Sequence, residues 1–191
     1  MIQQEKFDRY AEMLRDWNTR MNLVAPSTLD VLQTRHIDDS AQLADYLPAG
    51  ARVIDLGSGA GFPAVVLAIL EFDVVAIESI AKKCAFLDAV KKELDLSNLE
   101  IINDRVENVI KYLTPDALRQ TVFTARAFAP LGKIFDLTVG AGRPYLLLKG
   151  ENIATEIAVA QEKYKFDYKL IPSKTGPGFI IQIGNVKRAK N

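Results

Sequence analysis

The chain has 191 residues, 24 basic and 24 acidic side chains, one histidine and one cysteine. That length suits one α/β domain with a short extension, and zero net charge sets the chain apart from strongly basic nucleic-acid binders, although a local basic patch can hide in a neutral total. The lone Cys84 excludes an internal disulfide and a cysteine-built metal site, and the lone His36 removes most zinc and triad chemistry, so no metal is expected.

Phe7, Tyr10, Leu14, Trp17 and Met21 mark one face of a first helix. A second helix is expected from Pro26-Ser27-Thr28, capped by Ser27, with the stripe Leu29, Leu32, His36, Leu43 and Leu47 and a stop at Pro48-Ala49-Gly50. From residue 52 strands alternate with helices. Strands are expected at Arg52–Leu56, Val74–Glu78, Leu99–Asn103, Thr121–Ala125 and Tyr145–Leu148. Helices are expected at Phe62–Leu70, Ile80–Leu94, Val106–Tyr112, Leu131–Val139 and Ile153–Tyr164. Strands near Phe166–Ile171 and Phe179–Ile183 close the chain as a hairpin around the turn-rich 172–178 segment. This pattern implies a Rossmann-like α/β fold: a mostly parallel seven-stranded sheet with an antiparallel edge hairpin, covered on both faces. Residues 1–50 form an N-terminal helical extension and 51–191 the main domain, together one compact unit. No apolar run is long enough to cross a bilayer, and the opening Met1–Lys6 lacks the order of a signal peptide, so a soluble cytoplasmic protein without membrane association is expected.

Doubly wound sheets bind ligands at the carboxyl ends of their strands. After the first strand comes Asp55-Leu56-Gly57-Ser58-Gly59-Ala60-Gly61-Phe62-Pro63. A simple turn needs one glycine; three at alternate positions let the backbone approach a ligand closely. A dinucleotide fingerprint wants glycine or alanine where Phe62 stands. Asp55 beside the glycines repels a pyrophosphate but not a sulfonium or an ammonium group, which favours S-adenosyl-L-methionine over a nicotinamide or flavin cofactor. Glu78, at the end of the second strand, is placed to accept ribose hydroxyls. After the third strand, Val106 and Glu107 either flank an adenine or simply open a helix with an acid in its first turn. Arg126 ends a buried strand and needs a partner: a cofactor or substrate group, or Glu78 or Glu107. His36 and Cys84 sit on apolar stripes and read as core residues. His36 and Asp39 are expected to pack the extension against the main domain. Lys82, Lys83, Lys133, Arg143, Lys149 and the Lys187-Arg188-Ala189-Lys190 tail are either phosphate contacts or ordinary solubilising charges.

A larger pattern emerges when these segments are taken together. Trp17-Asn18, Met21-Asn22-Leu23, Arg35-His36-Ile37-Asp38-Asp39-Ser40, Val53 to Pro63, Ile77-Glu78-Ser79, Lys82-Lys83 with Phe86-Leu87, Arg105-Val106-Glu107 and Ala125-Arg126-Ala127 follow one another in an order that resembles the bacterial 16S ribosomal RNA guanine-N7 methyltransferase family (RsmG), formerly called glucose-inhibited division protein B. The resemblance implies methylation of one guanine N7 in 16S rRNA of the small ribosomal subunit, using S-adenosyl-L-methionine. It implies that Gly57 and Phe62 line the cofactor, that Val106 and Glu107 meet its adenosine end, and that Arg126 belongs to the site. With Asp55, Gly59, Gly61 and Glu78 these make up the expected cofactor-binding set, and a monomer is expected. Two positions depart from the family pattern: Ala64 replaces the usual glycine and Val24 the usual threonine. The alternatives are a methyltransferase acting on another RNA or a small molecule, a nucleotide-dependent oxidoreductase, and a non-enzymatic ribosome-assembly module.

Overall fold

The structure is a computed structural model and describes residues 1–114, 118 and 120–189. Strands β1 (Arg52–Leu56), β2 (Asp73–Ile77), β3 (Leu99–Ile102), β4 (Thr121–Arg126), β5 (Tyr145–Lys149), β6 (Tyr164–Pro172) and β7 (Phe179–Arg188) form one sheet. Its order is β3-β2-β1-β4-β5-β7-β6. The first five strands run parallel, and β7 lies antiparallel between β5 and β6. The expected sheet is present, and both closing strands are longer than their apolar cores suggested. Tyr164 belongs to β6, so the helix before it ends at Gln161.

Strand side chains alternate between two cores. Val53, Val74, Ala76, Val122, Leu146 and Leu148 face one side, while Ile54, Leu56, Val75, Ile77, Phe123 and Leu147 face the other. Burial on both faces is why these strands are nearly uniform runs of aliphatic residues. The first core is covered by α1 (Gln3–Asn18), by α3 (Ala64–Ile69) and by α4 (Ala81–Glu93). The second is covered by α5 (Val106–Tyr112), α6 (Leu131–Thr138) and α7 (Ile153–Gln161). Ala64, where the family pattern has glycine, is fully buried in the first core.

The second helix departs from expectation. Pro26–Thr28 is a single tight turn, Gln33–Asp38 a widened turn, Asp39–Ala41 (α2) one short α-turn, and Gln42–Tyr46 a tightened one. Ser27 caps nothing; instead the Thr28 hydroxyl donates to the Ala25 carbonyl at 2.7 Å. Widening has a use. The Asp39 N–H bonds the His36 carbonyl, and the Arg35 carbonyl, one residue earlier, accepts a hydrogen bond from the Arg126 side chain at 3.1 Å. Widened turns release backbone groups in this way.

Phe7, Tyr10 and Leu14 share one continuous core with Val53, Leu67 and Phe86, so α1 has no separate core of its own. Leu14→Ala is expected to cost about 2–5 kcal/mol, the range for a buried leucine. Trp17, the single tryptophan, gives a local fluorescence probe for α1. Its urea transition is expected to coincide with that of far-ultraviolet circular dichroism in both proteins; two separate transitions would show an independently folding extension.

Candidate functional site

Strand order reverses between β1 and β4, and the glycine loop leaves β1 there. Gly57, Gly59 and Gly61 have φ of +72°, +57° and +94°, a region where a Cβ is strained. The space around them separates their roles. A Cβ on Gly57 would lie 2.3 Å from the Phe128 ring, and one on Gly61 would lie 2.5 Å from Val65 and 3.0 Å from Tyr10 and Leu87. A Cβ on Gly59 would meet nothing closer than 3.9 Å. Gly57 therefore lets Phe128 close over the loop, Gly61 lets three helices pack together, and Gly59 faces open space.

Glu78, just past β2, holds this loop. One carboxylate oxygen accepts the Gly59 N–H at 2.8 Å and the other accepts the Ile80 N–H at 2.8 Å. Each oxygen retains capacity for a second donor. Cys84, beneath Glu78, donates its thiol to the Glu78 carbonyl at 3.2 Å. Burial raises that thiol's pKa, which fits packing, not nucleophilic chemistry.

Asp55 is fully buried under the loop. Burial pushes its carboxyl up to about 7. Hydrogen bonding from Ser58, the Ala64 backbone and the Thr124 hydroxyl, the last at 3.4 Å, opposes that shift without cancelling it. An ionised carboxyl at this depth costs stability, because burial outweighs its hydrogen bonds.

Arg126 closes β4, and its partner is neither Glu78 nor Glu107. Its Nε lies 3.3 Å from an Asp39 oxygen, and one terminal nitrogen donates both to the Arg35 carbonyl and to His36 Nδ1, the latter at 2.6 Å. The guanidinium also lies over the Phe62 ring at 5.5 Å. Pairing with Asp39 wins because the widened turn presents the carboxylate, the carbonyl and the imidazole together. A guanidinium can only donate, so Nδ1 must accept and the imidazole proton sits on Nε2. Nε2 then donates to the Thr28 hydroxyl at 2.8 Å. The ring stacks on Phe62 with centroids 5.0 Å apart, and Phe62 meets Tyr10 on α1 at 5.3 Å.

These groups frame a cavity of about 500 Å³, bordered by Gly57–Ala60, Phe62, Glu78, Arg126 and Phe128 on the sheet side. Leu23, Val24, Thr28 and His36 border it on the extension side. The size falls within the roughly 300–1,000 Å³ of small-molecule sites. A second cavity of about 570 Å³ adjoins it and shares Arg35, Arg126, Ala127 and Phe128.

A sequence model described as rRNA small subunit methyltransferase G matches residues 3–175. The chain belongs to the rRNA small subunit methyltransferase G family. It is 42% identical to the ribosomal RNA small subunit methyltransferase G of Dinoroseobacter shibae, across 94% of each chain. It is 37% identical to that of Hyphomonas neptunium, across 96% of this chain and 88% of the other. Among solved structures it resembles the O-methyltransferase from Bacillus cereus in complex with SAH, with a TM-score of 0.59 and 13% identity over 93% of this chain and 91% of that one. That likeness speaks for the fold, a methyltransferase variant of the Rossmann-like sheet.

In this family member the structure brings Gly57, Gly59, Phe62, Glu78 and Arg126 to one cavity wall. It does not bring the other expected residues there. Asp55 lies beneath the wall, Gly61 within the packing of three helices, and Val106 in the second core. Glu107 sits 3.6 Å from Arg105 at the start of α5. Sequence reasoning missed Thr28 and Phe128, which line the cavity, and offered Lys83, which lines it too, only as a phosphate contact. The signal for Phe128 was the pair of Gly57 and a bulky residue just after β4. Thr28 had none, because its role depends on the widened turn. Val24 borders the cavity as an apolar group, with its N–H held by the Asn18 side chain at 3.0 Å.

The basic residues divide. Lys82 and Lys83 open α4 and Lys133 lies in the first turn of α6, all at the site edge. Lys149 is not a free surface cation: its ammonium bonds Glu156 and the Ala129 carbonyl at 2.7 Å each. Arg143 precedes β5 and Lys187-Arg188 end β7, which puts all three at the opposite edge of the sheet. Lys190 lies outside the described residues.

Burial, with Arg126 and Arg35 nearby, holds the His36 pKa down at about 4. Its ordinary value is ~6.5, so the folded state binds fewer protons between those limits. His36 thus contributes stability that is complete above pH 6.5 and is lost as pH falls toward 4. As the single histidine, it gives one set of imidazole NMR signals. They are expected to show the Nε2–H form, unchanged from pH 8 to 5 and titrating near 4; a midpoint near 6.5 would remove the Arg126 hydrogen bond from the account.

Proposed function

We propose that the chain transfers a methyl group from S-adenosyl-L-methionine to N7 of one guanine in 16S rRNA of the small ribosomal subunit. What carries this reading is the cavity under the glycine loop, at the strand-order reversal of a chain that belongs to the rRNA small subunit methyltransferase G family. Its residues fit the cofactor. Gly59 leaves room for close backbone approach. Glu78 has acceptor capacity to spare for ribose hydroxyls, and Phe62, Val24 and Phe128 supply apolar surface. In its ionised form the buried Asp55 carboxyl puts a negative field beneath the loop, which favours a cationic ligand. Bound S-adenosyl-L-methionine supplies an electrophilic methyl group on a sulfonium centre.

The protein's own work is positioning and the exclusion of water. Guanine N7 carries a lone pair and no proton, so no general base is required. That agrees with His36, both of whose ring nitrogens are committed to Arg126 and Thr28. The N7 edge is hard to reach within an A-form helix, so the target base belongs to a loop or is splayed out. Among the described residues no helix is long and apolar enough to cross a membrane.

Purified protein, tritiated cofactor and small subunits from cells lacking this gene test the reading. One labelled guanine, methylated at N7, is the expected product; no transfer to any subunit RNA would support a non-enzymatic assembly role instead.

Asp55→Asn separates stability from binding. The carboxyl titrates at about 7 in the folded state against an ordinary ~3.9, so it disfavours folding progressively as pH rises through that window. The variant is expected to gain on the unaltered protein by an amount that grows by roughly 2.5 kcal/mol from pH 5 to pH 8 in urea denaturation. In calorimetry at pH 8 its affinity for S-adenosyl-L-methionine is expected to drop about tenfold, the coulombic scale of one charge at intermediate distance. Unchanged affinity would remove Asp55 from the cofactor site.

A further inference from the structure

The second cavity is built, not incidental. Its floor is the carboxyl ends of β4 and β5, and its outer wall is the turn between β6 and β7. That turn is pinned to the extension. The Gln42 amide donates to the Ser173 hydroxyl at 3.0 Å and accepts from the Lys174 N–H at 3.1 Å, while the Thr175 hydroxyl donates to Asp39 at 2.8 Å. The same Asp39 holds Arg126. Phe128 and Phe179 supply aromatic surface on the cavity walls, and flipped bases stack on such faces.

The charges along this edge follow an order. Moving away from β1, Arg126 comes at the end of β4, then Lys149 and Glu151 at the end of β5. Lys149 uses two of its three donors on Ala129 and Glu156 and has one left. Glu156 is occupied by Lys149 and by the Leu131 N–H at 3.0 Å. Glu151 also lines the cavity but is exposed, and among the described residues it has no hydrogen bond or ion pair.

We propose that this second cavity seats the target guanine and that the Glu151 carboxylate reads its N1–H and exocyclic amino group. The assignment rests on the methyl-transfer reading above. The atom to be methylated must face the first cavity, toward β1. Guanine carries its O6 acceptor beside N7 and its two donor groups on the far edge. In that pose O6 meets the spare Lys149 donor and the donor edge points to the end of β5, where Glu151 stands. Adenine in the same pose sets an amino group against the cation and a bare acceptor against the carboxylate, so it is rejected by repulsion as well as by lost bonds. Glu151 is thus a specificity residue, and it acts on the base without touching the cofactor cavity.

The test uses the full chain and small subunits reconstituted with guanosine or inosine at the methylated position; inosine lacks only the exocyclic amino group. For the unaltered protein, inosine is expected to lower kcat/KM by about tenfold to a hundredfold, the scale of a lost charged hydrogen bond. Glu151→Ala is expected to lose a similar factor on guanosine, to lose little more on inosine, and to keep its calorimetric affinity for S-adenosyl-L-methionine. Unchanged kcat/KM for E151A on guanosine overturns the assignment while leaving the methyl-transfer reading intact, and so does an undiminished inosine penalty in E151A. If the unaltered protein methylates neither RNA, the underlying reading fails and the assignment fails with it.

Discussion

Arg126 holds the extension and the sheet together. Its guanidinium closes β4 and meets Asp39, the Arg35 carbonyl and His36, all from a segment about ninety residues earlier. The side chains of Arg126 and Asp39 are 17% and 20% exposed. Their pair therefore falls between a surface ion pair, worth about 0–1 kcal/mol, and a fully buried one, whose breakage costs about 3–5 kcal/mol. The pair organises more than it stabilises. Through His36 it fixes a tautomer and through Phe62 it presses the loop onto α1. Through Asp39 it reaches the far hairpin turn.

Much of the architecture was legible in the residues. Runs such as Val74–Ile77 and Tyr145–Leu148 announce doubly buried strands, and the Gly57–Gly61 spacing marks the ligand edge. These signals are local, and periodicity and turn chemistry carry them. The partner of Arg126 was not legible, because Glu78, Glu107 and Asp39 are equivalent on paper. Only the widened turn at Gln33–Asp38 decides between them, and no propensity scale separates that turn from an ordinary helix. The glycine roles were half legible. Three glycines implied close approach, yet the space at Gly57 is taken by Phe128 and that at Gly61 by Val65, Leu87 and Tyr10, and only Gly59 faces open space.

Asp55 is a charge that the fold itself resists. Burial holds its carboxyl near a pKa of 7 and weakens the native state as it ionises, whereas an aliphatic residue there would extend the core formed by Val53. Strained or under-satisfied groups of this kind concentrate where binding needs them. The neighbouring Thr124, its register partner on β4, relieves the cost only in part.

The pinned hairpin turn bears on how the protein is made. In the sheet, β6 touches only β7, and β7 is the last strand synthesised. A nascent chain that has released β1 through β5 carries its glycine loop and Arg126. It still lacks the turn contacts to Asp39 and Gln42, which span more than 130 residues. Pairings of such long separation form late and slowly. The outer wall of the second cavity is therefore the last part of the molecule to close, and a chain that stops short of β6 leaves that cavity open on its outer side.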